Sequence, residues 1–203
     1  MAIPVVNTKK KIASSYDLRT SRQYKIAVKK ILIAEFEKLK HELIHDFLSH
    51  PVTKEIEAGP MAKNISNTLG GVGNLFSYIG FESNEKPTKP VERMLKEVSM
   101  SAIITSRNGD SRAVAFYPTA QDIFDATPLP WANGRSWAKS IETGLSGFGY
   151  YLTNKEFDPT ISRSTYGIQT KSKIRSGRFK NVPYITSMIK KFEQRILKLN
   201  VIV

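Results

Sequence analysis

The chain has 203 residues, a length that suits one domain with or without extended arms. Hydrophobic residues make up 40 %, so we expect a core of modest size. The absence of cysteine excludes disulfides, thiolate catalysis and cysteine-based zinc sites, and it is consistent with assembly in a reducing cytoplasm. We expect no membrane span, because there is no run of about 18 apolar residues. We also expect no signal peptide, because the chain starts polar and basic at residues 1–11.

The net charge of +13 is concentrated at the two ends of the chain. Residues 1–50 carry 10 Lys/Arg against 5 Asp/Glu, and residues 150–203 carry 11 against 3. Residues 51–149 are balanced, with 10 of each sign. Such asymmetry indicates an acidic partner, which is nucleic acid, a membrane surface or an acidic protein face. The simpler alternative is that the charge only keeps the chain soluble.

The first quarter of the chain predicts an arm followed by a long helix. Residues 1–20 show little periodicity and are predicted to form a basic arm that a partner orders. Residues 22–50 predict a helix that Pro51 ends at His50. At ~1.5 Å per residue this helix would be about 43 Å long, so we expect part of it to meet a neighbouring subunit. The apolar residues on its inner face are Val28, Leu32, Phe36, Leu39, Leu43 and Phe47.

Residues 57–81 combine glycines, which leave the backbone flexible, with large apolar side chains, and they predict an extended loop. Phe76, Tyr78 and Phe81 follow the run Gly70–Gly71–Val72–Gly73, which has no helical or strand period. We therefore predict that these three aromatic residues bind a partner chain. The alternative, equally open from the sequence, is that the loop packs on the core of its own subunit.

The middle of the chain predicts short elements in an α+β arrangement. Residues 91–98 predict a short helix, and residues 98–118 predict a β-hairpin that turns at Asn108–Gly109. Thr119 is placed to cap a helix over residues 121–125. Pro128 and Pro130 are expected to break the chain before a further helix from Ser136 to about Leu145.

The last quarter predicts a basic arm and a closing helix. Residues 153–180 are polar and poor in large apolar side chains, so we predict an extended loop that an acidic partner orders. An adjacent protein is preferred to DNA as that partner. Residues 184–199 predict a helix with one apolar face. The predicted partner-binding cations of the arm are Arg163, Lys171, Lys173, Arg175, Arg178 and Lys180.

One catalytic signature is present, His41–Glu42–Leu43–Ile44–His45, which matches the H-E-x-x-H pattern of zinc hydrolases. Both histidines lie roughly 150–170° from the centre of the apolar face of the predicted helix, so we expect them to face solvent or a partner. No third ligand stands at the spacing that zinc hydrolases use, because that position is Pro51. We therefore predict no metal site, and zinc hydrolysis remains only an alternative.

Other catalytic sets are weaker still. All three histidines lie within ten residues of one helix, and the phosphate-binding signature G-x-x-x-x-G-K-[ST] is absent. We predict no catalytic residue and no cofactor. Nucleic-acid binding through the two basic ends is the second alternative, because cations interleaved with aromatic residues suit single strands.

Three stretches of the sequence carry a resemblance to known proteins, at residues 50–56 with 68–81, at residues 128–149, and at residues 162–171 with 184–185. They resemble neck and tail-completion proteins of tailed bacteriophages of the T-even-like or marine type. The resemblance implies an α+β fold, in which a long N-terminal helix and a C-terminal helix pack on a small antiparallel sheet. With the residue patterns it predicts a basic arm at 1–20 and one domain at 21–203, with extended loops at 57–81 and 153–180.

The same resemblance implies a non-enzymatic virion protein. Six or twelve copies would form a ring at the head–tail junction, between portal-side and tail-side proteins, after assembly in the host cytoplasm. Non-specific contact with packaged DNA is compatible with that position, and no membrane is expected.

Overall fold

The computed structural model describes residues 3–4, 22–71, 73–101, 104–105, 111–130, 132–144 and 179–199. Helices and short antiparallel strands alternate along these ranges, which confirms the predicted α+β class. The helices are α1 (Arg22–Ser49), α2 (Pro51–Glu57), α3 (Leu75–Ile79), α4 (Lys89–Lys96), α5 (Ala120–Asp125), α6 (Trp137–Thr143) and α7 (Ile185–Leu197), with a 3₁₀ turn at Gly59–Met61. The strands are β1 (Ile3–Pro4), β2 (Ser99–Met100), β3 (Ile104–Thr105), β4 (Ser111–Arg112), β5 (Val114–Phe116), β6 (Pro128–Leu129) and β7 (Ala132–Ser136).

Helix α1 confirms the predicted long helix and most of its inner face. Five of the six predicted apolar residues are buried, and Leu39 is partly buried against the core. The helix ends where Pro51 begins α2, as predicted, because proline disfavours helical geometry in the residue before it. His50 caps α2, since its Nδ1 accepts the Val52 N–H at 3.3 Å.

Helix α7 packs antiparallel on the C-terminal half of α1. The Tyr184 ring stacks on Phe47 near the start of α7. About two turns farther along α7, Phe192 contacts Phe36 edge to face. Outside this apolar contact, Arg195 forms an ion pair with Glu42 at 2.9 Å. The pairing joins the two long helices that the sequence predicted into one layer over the core.

The strands form three small antiparallel sheets. In the first, β5 lies between β1 and β2, with Met100 opposite Ala115. Strands β3 and β4 form the predicted hairpin, whose turn at Asn108–Gly109 lies outside the described residues. Strands β6 and β7 form a second hairpin that the sequence did not predict. Here Pro130 belongs to a turn between strands and not to a simple break before a helix.

The remaining short helices begin close to their predicted positions. Thr119 and Asp122 form a reciprocal capping box on α5, as the cap prediction required. Ser136 caps α6, which ends at Gly144, where the backbone takes a φ of +93°. Among the described helices, none is long and apolar enough to cross a membrane.

Parts of the predicted domain organisation fall on residues that the structure does not describe. Of the predicted arm at residues 1–20 it describes the backbone of Ile3–Pro4, which pairs with β5. Of the predicted loop at 153–180 it describes residues 179–180. The division into an arm and a domain with extended loops therefore stays a prediction.

Candidate docking surfaces

The aromatic residues predicted to bind a partner lie in the core of their own subunit. Phe76, Tyr78 and Phe81 are 2 %, 8 % and 3 % exposed. Phe76 contacts Phe81, which meets Trp137 edge to face at 6.0 Å between ring centroids. The docking role assigned to these three residues is therefore wrong for the folded subunit, and the own-core alternative describes them. Burial also raises the pKa of Tyr78 to about 12.

The reason lies in how the glycine-rich segment ends. Asn74 caps α3 by accepting the Ser77 N–H at 2.9 Å, so residues 75–79 become one helical turn and no longer belong to a loop. Gly80 then ends that turn with a φ of +85°, in the left-handed region that glycine enters without strain. The turn directs the aromatic residues inward.

The part of the predicted loop that stays irregular is held by one buried carboxylate. We name residues 58–71 and 73–74 the braced loop. Glu55 is 0 % exposed, and its Oε1 accepts from Asn64 Nδ2 at 2.8 Å and from the Leu75 N–H at 2.7 Å. Its Oε2 accepts the Ser66 N–H at 2.9 Å. Three donors compensate for burying the charge, and they tie the middle of the loop and the first residue after it to α2.

Two asparagines complete the brace. Asn64 Oδ1 accepts the Leu69 N–H at 3.3 Å and the Gly71 N–H at 3.2 Å. Asn74 Nδ2 donates to the Pro60 carbonyl at 2.8 Å, which closes the loop on itself. Because side chains satisfy these backbone groups, the loop has a defined shape without a partner.

The braced loop exposes two large apolar side chains. Met61 is 90 % exposed and Ile65 is 53 % exposed, with the exposed Lys63 between them. Covering such a side chain contributes roughly 1.5–3 kcal/mol for full burial. An apolar pair on a rigid loop is a favourable docking feature, because little conformational entropy is lost on binding. Neither residue is predictable from the sequence as a docking residue, since no periodicity distinguishes them from their inward-facing neighbours.

The end of the predicted basic arm meets the base of the braced loop. Phe179 stacks on Tyr78, with 6.0 Å between ring centroids and 12° between planes. The Lys180 N–H donates to the Thr68 carbonyl at 2.8 Å, and the Lys180 side chain is exposed. The other five predicted cations, Arg163, Lys171, Lys173, Arg175 and Arg178, lie outside the described residues.

A second exposed surface lies on the first three turns of α1. We name Arg22, Ile26, Lys29 and Ile33 the basic helix face, and all four side chains are exposed. Ile26 is 57 % exposed and Ile33 is 42 % exposed. The predicted contact of part of α1 with a neighbouring subunit stays a prediction, and these exposed side chains are compatible with it.

The H-E-x-x-H histidines face outward, as predicted. His41 and His45 are exposed, and His41 Nδ1 donates to the Glu37 carbonyl at 2.7 Å. Glu42, the residue that would activate water in a zinc hydrolase, pairs instead with Arg195. Within the described ranges, no group of three or more histidines or carboxylates is placed to hold a metal ion.

His50, the third histidine, has a structural setting. Its ring lies 4.7 Å from the Tyr184 ring, and Tyr184 Oη shares a 2.7 Å hydrogen bond with Thr53 Oγ1. Desolvation at this half-buried position lowers the pKa of His50, although a hydrogen bond to the Pro183 backbone opposes the shift. The neutral ring suits the cap, because Nδ1 must stay unprotonated to accept the Val52 N–H.

No protein-family model matches this chain, and no curated protein or solved structure matches it either. The surfaces described above and the resemblance seen in the sequence are therefore the basis for a function.

Proposed function

We propose that this protein is a structural subunit of the neck of a tailed bacteriophage, where copies form a ring between the portal side and the tail. The observation that carries the proposal is the braced loop, which presents Met61 and Ile65 on a rigid support. A subunit that assembles through a preformed apolar surface needs such a feature and needs no catalytic group.

In the proposed ring, the braced loop of one copy meets a different surface of the next copy, because a head-to-tail contact between unlike surfaces generates a ring when the rotation closes. The braced loop belongs to the segment after α2, and the basic helix face at the start of α1 is separate from it. The resemblance of residues 50–56, 68–81 and 128–149 to neck and tail-completion proteins supplies the assignment to a virion.

The test removes the apolar pair from the braced loop. The variant Met61→Ser with Ile65→Ser should reduce self-association of the purified chain, measured by sedimentation velocity, and should prevent its incorporation into phage particles. Both side chains are exposed, so the variant should keep the far-UV circular dichroism of the parent.

The matched control is Leu197→Ser, which removes an apolar side chain of similar size that is 62 % exposed at the end of α7. The control should assemble like the parent. Equal loss of assembly in both variants, or full assembly without Met61 and Ile65, would refute the docking role of the braced loop.

Nucleic-acid binding is the second candidate function, and the concentration of charge at the ends of the chain favours it. A DNA-binding protein that contacts several phosphates shows an affinity that falls steeply with salt. Binding of duplex and single-stranded DNA should therefore be measured over a range of salt concentrations. A steep salt dependence without any ring formation would favour this candidate over the neck subunit.

A further inference from the structure

The first three turns of α1 differ in chemistry from the rest of the helix. Residues 22–34 contain one arginine and three lysines and no acidic residue, whereas residues 35–46 contain four acids. Within that basic stretch, two isoleucines of the basic helix face remain substantially exposed. Exposed apolar groups among positively charged side chains indicate a surface that a partner covers.

The members of the basic helix face form one line along the helix. Arg22, Ile26, Lys29 and Ile33 follow one another at steps of four, three and four residues, which keeps them on one side of an α-helix. The line spans about 16 Å at ~1.5 Å per residue. Ile31, which is also exposed, lies on the other flank and is not part of it.

Helix α1 carries this line of exposed residues, and the buried residues on the neighbouring face of the helix hold it against the rest of the subunit. Val28 and Leu32 lie between the members of the line in sequence, and both are buried. The line is therefore presented at a constant orientation, beside a buried stripe. This geometry resembles one half of a helix–helix seam, in which Ile26 and Ile33 stand one heptad apart and a cation precedes each of them.

The alternation of apolar and basic side chains selects among partners. A nucleic acid would satisfy Arg22 and Lys29 but would set Ile26 and Ile33 against phosphates. A bilayer surface favours a continuous apolar strip, which Lys29 interrupts. A helix with apolar residues on one face and carboxylates beside them satisfies all four side chains at once.

We propose that the basic helix face binds an acidic amphipathic helix of another protein. Ile26 and Ile33 pack against the apolar residues of that helix, and Arg22 and Lys29 pair with its carboxylates. The proposal does not depend on the ring, because it concerns a surface separate from the braced loop.

The experiment uses the full chain and a synthetic helical peptide with leucine at the heptad core positions and glutamate beside them. Fluorescence anisotropy should show saturable binding of this peptide and no binding of the same peptide with lysine in place of glutamate. Arg22→Glu with Lys29→Glu should weaken binding by about tenfold or more, and Ile26→Ser with Ile33→Ser should weaken it similarly.

The matched control is Lys190→Glu with Lys198→Glu, which makes the same change in net charge at exposed positions in α7 and directly after it. It should leave the affinity within about twofold of the parent. The braced-loop variant Met61→Ser with Ile65→Ser should also bind normally, which separates this inference from the proposed function. Circular dichroism checks that α1 stays helical in every variant.

Three results would overturn the inference. The first is equal weakening by the α7 control, because binding would then follow net charge alone. The second is tighter binding of duplex DNA or of vesicles containing phosphatidylserine than of the acidic peptide, with the same loss in the variant Arg22→Glu with Lys29→Glu. The third is failure of the folded parent chain to bind the acidic peptide.

Discussion

The buried carboxylate of Glu55 should be the most sensitive single position of the braced loop. In Glu55→Ala, three donors lose their acceptor: Asn64 Nδ2, the Ser66 N–H and the Leu75 N–H. Leu75 is fully buried, so its N–H has no access to replacement water, whereas the other two donors lie in partly buried positions. A buried donor without a partner costs about 1–3 kcal/mol, and the two partly exposed donors lose a smaller amount. We therefore expect unfolding to require about 2–4 kcal/mol less free energy.

Urea unfolding followed by circular dichroism measures this loss, and amide hydrogen exchange locates it. Exchange at Ser66 and Leu75 should accelerate more than exchange in α7. Glu55→Gln separates charge from shape, because it keeps Oε1 but places an NH₂ group opposite the Ser66 N–H. It should lose stability as well. The control Glu37→Ala removes an exposed carboxylate of α1 and should stay within about 0.5 kcal/mol of the parent. A loss in Glu55→Ala no larger than in the control would refute the idea that this carboxylate holds the loop.

Two further predictions concern His50 and the two residues that flank the undescribed segment 145–178, which are Gly144 and Phe179. Because the folded-state pKa of His50 lies below its unfolded value of 6.5, the unfolded chain binds more protons as the pH falls below 6.5. The urea midpoint of unfolding should therefore decrease as the pH falls below 6.5. The variant His50→Asn can still cap α2 and should make the midpoint less dependent on pH. An unchanged pH dependence in this variant would contradict the role of His50. A Cβ on Gly144 would lie 3.2 Å from Asn181 Oδ1, so the two ends are adjacent. Replacing residues 146–177 by a short glycine–serine linker should keep thermal unfolding cooperative. It should also raise the free energy of unfolding by about 1 kcal/mol, because closing a shorter loop costs less entropy. Loss of cooperativity would show that the replaced segment completes the core.

The sequence predicts the two long helices well because their apolar residues repeat at helical steps and their ends carry clear signals. Val28 to Phe47 in α1 form such a stripe, and Pro51 limits the helix. The capping box of Thr119 and Asp122 is equally local, since both partners lie within four residues. These elements depend on nearest neighbours along the chain, which a sequence displays directly.

The candidate site was harder to predict because its contacts are distant in sequence. Glu55 organises residues 9 to 20 positions away, and nothing in its immediate neighbourhood marks it as buried. The direction of Phe76 and Phe81 depends on a single turn of helix after three glycines, a segment without periodicity. The hairpin of β6 and β7 was missed since the prolines that begin it are also typical of a simple break.

The distribution of charge on α1 also limits how copies of this chain can meet. If two subunits paired through their basic helix faces about a twofold axis, Arg22 and Lys29 of one copy would face the same cations of the other. The four cations of residues 22–34 have no acid among them to relieve that repulsion. Farther along the helix, Glu42 and Asp46 already pair with Arg195 and Lys191 of α7 in the same subunit. A symmetric pairing of these faces is therefore unfavourable, and the proposed acidic helix is a better partner for the start of α1 than a second copy of the same face.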